Sequence, residues 1–137
     1  MENQFEKIPP HDVTAEQMNR LFGLLTDRRR RYVLKRLQTA NQPISLEELV
    51  ADISAWEDTP APETALTDKV DEVTVSLQHC HLPKLADAGL IEYDRSTKNV
   101  AYTDHPQVEA LVDRFSELFP GEDERGRLKV MKGGEKR

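Results

Sequence analysis

No run of about 18 apolar residues occurs anywhere in the 137-residue chain, so no segment is expected to span a membrane. Cysteine is nearly absent: Cys80 stands alone, which excludes an intrachain disulfide and fits a reducing compartment. Met1 to Lys7 carry no basic stretch leading into an apolar one, so no secretory signal is expected and the chain reads as cytoplasmic. A nucleophile elbow, a glycine-rich phosphate loop and a zinc motif are missing too, and acidic pairs such as Glu47-Glu48 and Asp71-Glu72 read as solvated helix faces. Neither catalysis nor a cofactor is expected. No internal repeat is present, and the length suits one domain with tails.

The net charge is −6, against the basic footprint usual for nucleic-acid binders. Its distribution says more. Residues 1–40 hold eight Lys/Arg against five Asp/Glu, residues 41–75 hold one against nine, and residues 125–137 hold six against Glu135 alone. Positive charge thus gathers in the first helical region and the tail, and acid between Glu47 and Glu72. Such an acidic chain also suits molar salt, where the Debye length is only about 3 Å.

Residues 1–13, with Pro9-Pro10, read as a flexible lead. Met18, Leu21, Phe22 and Leu25 recur at helical spacing, and Thr26-Asp27 signals the N-cap of a second helix carrying Val33, Leu34 and Leu37, so two helices should cover 15–39. Asn41-Gln42-Pro43 breaks the run. Ser45-Leu46-Glu47-Glu48 is a capping-box pattern ahead of the stripe Leu46, Leu49, Val50, Ile53. Glu57 to Thr67 reads as a surface loop. A long helix should then start near Thr67 or Asp68 and stop at Gly89. Its apolar residues form two stripes, Val70, Val73, Leu77, Ala88 and Val75, Leu82, Leu85, rotated by more than about 100°. Either the helix is covered on two sides, by a partner subunit for example, or Pro83 shifts its phase.

Leu90 to Tyr93 and Val100 to Tyr102, joined by Asp94 to Asn99, read as a β-hairpin. Pro106 favours a last helix with Val108, Leu111, Val112, Phe115, Leu118 and Phe119 on one side, too apolar to stand free. A glycine-stopped helix followed at once by a hairpin is the pattern of a winged helix-turn-helix. The fold expected is mainly α with a small β-hairpin: a winged helix-turn-helix over 14–104, a C-terminal packing or dimerisation helix over 105–120, and a charged disordered tail over 121–137.

The run from Leu25 to Leu34, Leu-Thr-Asp-Arg-Arg-Arg-Arg-Tyr-Val-Leu, resembles the first helix of ArsR-type regulators, and His81 to Ile91 resembles their recognition-helix exit into the wing. Leu21 to Tyr102 is similar to a family of small winged-helix proteins of halophilic archaea. That resemblance rests on Arg29 to Leu34, on Trp56-Glu57 and on His79 to Leu85 (His-Cys-His-Leu-Pro-Lys-Leu). It implies the winged fold and a role in transcriptional control, with no agreed ligand or target. Two features depart from the general regulators. The connection from Trp56 to Thr67 is long, and Glu72 and Asp87 are acids on the presumptive recognition helix that would repel phosphate.

The candidate DNA-binding residues follow from chemistry. Arg28, Arg29 and Arg31 offer guanidinium forks for phosphate, or else salt bridges to the acidic 41–75 segment. Ser76, Gln78, His79 and Lys84 suit base edges and phosphates, although Lys84 borders an apolar stripe and can simply snorkel from it. Arg95 and Lys98 lie at the hairpin tip, which is a wing tip or an ordinary solvated turn. His79-Cys80-His81 invites a metal, but consecutive helical side chains diverge by about 100°, so no metal site is expected. The expected function is a DNA-binding regulator, a homodimer through its first and last helices, on double-stranded DNA and without a membrane. The alternative is a winged-helix protein-interaction module with no direct DNA contact.

Overall fold

The computed structural model describes residues 6–57 and 63–118, with residues 63–66 as backbone only. Expectations for residues 1–5, for the loop core 58–62, for Phe119 and for the tail 121–137 lie outside the described residues. The elements are α1 Ala15–Leu25, α2 Arg28–Gln38, β1 Ile44–Ser45, α3 Leu46–Trp56, α4 Glu63–Ser76, a π-helical turn Leu77–His81, α5 Leu82–Asp87, β2 Ile91–Asp94, β3 Asn99–Tyr102 and α6 Pro106–Leu118. With α4, the π turn and α5 counted as one interrupted helix, the described residues form five helices and a three-stranded antiparallel sheet ordered β1-β3-β2. None of the described helices is long and apolar enough to cross a membrane.

Local chemistry explains the helix starts. Thr14 and Gln17 form a reciprocal capping box on α1, and the Asp27 carboxylate accepts from the amides of Arg29 and Arg30 at the start of α2. Ser45 caps α3 by accepting from the Glu48 amide, while the Glu48 carboxylate turns to Arg36 instead of back to the cap. Helix α4 starts at Glu63, four residues ahead of the Thr67 expected from sequence, so the connection after α3 is short.

The two apolar stripes of the long helix are reconciled by its π turn. Such a turn takes in one extra residue, which resets the helical phase by about 100°. Val73 before it, Leu77 at its first position, and Leu82, Leu85 and Ala88 after it therefore all face the core and are fully buried. Val75, grouped with the second stripe in sequence, points outward and is 58% exposed. Pro83 follows directly. It has no N–H to give to residue 79 and its ring crowds that carbonyl, so the α ladder is interrupted where the Leu82 amide reaches back to the Leu77 carbonyl. At the far end Gly89, at φ +86°, lets its own amide bond Ala86 and the Leu90 amide bond Leu85, a Schellman stop.

The hairpin follows at once, with Ile91 opposite Tyr102 and Asp94 opposite Asn99. Strand β1 adds to its outer edge, Ile44 opposite Val100. The segment 6–13 is non-helical and partly docked: Ile8 is buried, donates its amide to the Ala88 carbonyl (2.7 Å) and accepts from His105 Nε2 (3.1 Å). Because His105 Nδ1 accepts from the Val108 amide, Nε2 is the protonated nitrogen, and the one ring caps α6 and holds the lead. The Tyr102 hydroxyl accepts from the His105 amide and donates to Glu109, seating α6 beside the hairpin. Burial pushes its phenol pKa above the usual range.

Ile8→Ala is expected to lower unfolding free energy by about 2–5 kcal/mol, the usual cost of emptying a buried aliphatic site. Urea denaturation measures it; a loss below about 0.5 kcal/mol, the range of a surface substitution, would show that the lead is not part of the core.

Candidate nucleic-acid interface

Four arginines in the first turn of α2 sit where the helix dipole is already positive, so each needs an acceptor. Arg29 places Nε and Nη2 on the Glu57 carboxylate (2.7 Å each) and Nη1 and Nη2 on Glu72 (2.8 Å each). Glu57 also accepts from Lys69 at 2.7 Å. One guanidinium thus ties α2 to the end of α3 and to α4. Arg30 donates Nε to His81 Nδ1 (3.0 Å) and Nη1 to the Leu24 carbonyl, and Arg31 donates to the Leu25 carbonyl at 2.7 Å. The last carbonyls of α1, which have no partner within their own helix, are satisfied by the next helix's side chains. Arg28 lies over the Trp56 ring at 4.6 Å, with Tyr32 against the same ring, and Arg31 lies over Phe115 at 4.9 Å.

These contacts set the titration behaviour. Burial alone would raise the Glu57 carboxyl, but hydrogen bonds from Arg29 and Lys69 outweigh it and hold the pKa at about 2. Hydrogen bonds to Glu57 and Glu72 hold the Arg29 guanidinium further above its already high value, and the same contact from Arg29 lowers Glu72. His81 is buried on the π turn, and its pKa is lowered by desolvation first and by Arg30 and Arg29 next, against a raising effect of Asp27. Its Nε2 stands 3.9 Å from Asp27.

The remaining sequence-predicted site residues lie elsewhere. Ser76 and Gln78 are half-buried at the start of the π turn, His79 is exposed on it, and Lys84 is exposed on α5. Cys80 is half-buried, His81 turns inward to Arg30, and among the described residues no group of three or more His, Cys, Asp or Glu could hold a metal ion.

Arg95 and Lys98 are exposed together at the hairpin tip. The tip is held in shape: Asp94 Oδ1 accepts from the amides of Ser96 and Thr97, and the Lys98 amide bonds the Asp94 carbonyl. The Lys98 carbonyl accepts from the Leu46 amide at the start of α3 (2.8 Å), and Lys98 takes φ +63° to allow it. Arg95 lies 5.6 Å from the Tyr93 ring centre. The structure thus separates two cation groups, an arginine cluster turned onto its own chain and a tip pair pointing outward. Asp94 is the residue that shapes the tip, and its signal in the sequence is the side-chain turn pattern Asp-x-Ser-Thr.

The class defined by these observations is a small, mainly helical domain with a three-stranded sheet and an exposed basic hairpin tip. The chain belongs to a domain family of unknown function (DUF7344), whose model matches residues 22–101. No curated protein and no solved structure matches the chain.

Arg29→Ala takes the bonded guanidinium from Glu72 and leaves Glu57 with Lys69 alone, and is expected to destabilise the fold by about 3 kcal/mol in denaturant titration. The pH dependence has a definite sign. Glu57 is more acidic folded than unfolded, so its contribution is complete above the unfolded value of 4.5 and is lost as pH falls toward about 2. His81 acts in the same direction, losing its contribution as pH falls below its unfolded value of 6.5. Stability should therefore fall on acidification in two stages, and Glu57→Gln should flatten the stage below pH 4.5. Parallel profiles of wild type and variant would contradict this.

Proposed function

We propose that this protein is a DNA-binding transcriptional regulator of the winged helix-turn-helix type, ArsR-like in pattern and related to the haloarchaeal winged-helix proteins. The observation that carries this reading is the order of elements. Two helices, a short strand, a third helix, a long helix and a hairpin follow one another, and the short strand pairs on the outer edge of the hairpin in the order β1-β3-β2. The hairpin tip lies beside the start of α3, where the Lys98 carbonyl accepts from the Leu46 amide, and β2 packs on α5 directly after the long helix ends, an order that resembles a wing following a groove-reading helix.

Contact with double-stranded DNA is led by Arg95 and Lys98, with Lys84 and His79 on the adjoining helix and Ser76 and Gln78 behind them. Arg29 is engaged by two carboxylates and Arg31 by a carbonyl and a ring, so these α2 arginines act by holding the frame. Arg28 remains exposed at the edge of its Trp56 stack. The protein works as a homodimer through α1 and α6, a reading supported by Phe22 (44% exposed) and Leu118 (67% exposed) on those helices. The lone Cys80 suits the cytoplasm.

A second reading, a winged-helix module that binds protein and not DNA, is favoured by one feature. The outer face of α4 presents Asp68, Asp71 and Glu72 where a groove-reading helix would meet phosphates.

Fluorescence anisotropy of labelled duplex across a salt series separates the two readings. Affinity is expected to fall steeply with salt, and Arg95→Ala with Lys98→Ala should weaken binding and reduce the slope of log K against log salt by about 2. No binding at low salt, with upstream DNA of its own gene included, would leave the interaction-module reading. Binding with an unchanged slope in the double variant would remove the wing from the contact.

A further inference from the structure

His81 is buried at the last position of the π turn, between the two halves of the long helix. Its Nδ1 accepts from Arg30 Nε at 3.0 Å. A guanidinium N–H only donates, so the ring is neutral and carries its proton on Nε2. That nitrogen stands 3.9 Å from Asp27 Oδ1, too far for a hydrogen bond and near enough for an ion pair once the ring is charged. The same carboxylate oxygen caps α2 by accepting from the amides of Arg29 and Arg30.

A proton from solvent can enter the ring only at Nδ1. The ring then meets Arg30 with a donor in place of an acceptor, and two cations stand 3.0 Å apart in a buried site. The surrounding charges decide how that conflict resolves. At the start of α2, Asp27 attracts the imidazolium and Arg29 repels it; from α4, Glu72 attracts it but is bound to Arg29. On α3, Glu57 is held by Arg29 and Lys69, and on α5 both Lys84 and Asp87 are exposed. Arg30 has a second acceptor in the Leu24 carbonyl, and the imidazolium has Asp27. The favoured arrangement therefore parts Arg30 from the ring and draws His81 toward Asp27.

We propose that His81 is a proton-operated latch on the π turn: neutral, it ties the outer half of the long helix to Arg30; protonated, it releases Arg30, moves to Asp27 and lets α5 and the hairpin shift. Its place suits such a device. Pro83 withholds an amide from the helical ladder two residues on, so the junction of α4 and α5 leans on the Arg30 contact. Strand β2 packs on α5, which carries a change at the junction to the hairpin. Histidine is the side chain whose charge changes near neutral pH. Desolvation, followed by Arg30 and Arg29, moves this one below its ordinary 6.5, so the latch is closed at neutral pH and opens on acidification. It does not depend on the DNA-binding reading.

NMR of the full chain, without DNA, from neutral pH down to the onset of unfolding tests it. The His81 ring and the Arg30 Nε–H signal are expected to change together with one midpoint below 6.5, and the amides of residues 77–82 and 91–102 should shift with them. His81→Asn offers Arg30 an acceptor that takes up no proton, and should leave the Arg30 and hairpin signals unresponsive over that range. Arg30→Gln keeps the histidine without the opposing cation, and should raise the midpoint of the ring and uncouple the hairpin from it. The latch is ruled out if the Arg30 Nε–H signal stays in place while the ring titrates, or if the hairpin responds equally in His81→Asn. It is ruled out too if the chain unfolds before the ring takes up a proton, or if ring nitrogen shifts place the neutral proton on Nδ1.

Discussion

The first turn of α2 concentrates four guanidinium groups at the positive end of a helix dipole, and much of the architecture is the answer to that load. Asp27 caps the amides, Glu57 and Glu72 close around Arg29, His81 and two α1 carbonyls receive Arg30 and Arg31, and Trp56 and Phe115 lie beneath Arg28 and Arg31. These acceptors come from α1, α3, the long helix and α6. The cluster therefore fixes how the helices are placed around α2. A lysine could not replace Arg29, because a point charge cannot serve two carboxylates with a planar fork.

The long helix receives its orientation from the same place. Glu72 is bound one turn before the π turn and His81 at its end, so Arg29 and Arg30 hold the helix on either side of its change of phase. Downstream of that change, Leu82, Leu85 and Ala88 turn into the core and Lys84 turns to solvent. The hairpin emerges directly after Gly89, so the arginine cluster also governs where Arg95 and Lys98 are displayed.

Much of this was legible in the sequence, and what was not has physical reasons. Helical spacing and capping residues located α1, α2 and α3, and the glycine stop and alternating strands located the end of the long helix and the hairpin. Strand β1 is two residues long and is defined by pairing with Val100 and Asn99, which no local pattern announces. The split apolar stripe at Val75 and Leu82 is compatible in sequence with a phase change near Pro83 and with a covered second face, and the burial of Leu77, Leu82 and Leu85 beside an exposed Val75 separates the two. Ile8 lies in a proline-bearing lead whose composition suggests mobility, and its anchoring depends on His105, 97 residues away. For the site, charge density in the sequence peaks at the arginine run, whereas geometry turns most of that charge onto the chain itself and leaves the modest Arg95 and Lys98 pair exposed at the hairpin tip.

Inward arginines build the frame, and the outward hairpin tip is the proposed DNA contact. Backbone chemical-shift mapping during titration with a short duplex at low salt tests it most directly. The largest changes are expected on residues 94–99 and around Lys84, while the amides and guanidinium signals of Arg29 and Arg30 stay in place. Changes centred on Arg28 to Arg31 with a silent hairpin tip, or no changes at all, would contradict it.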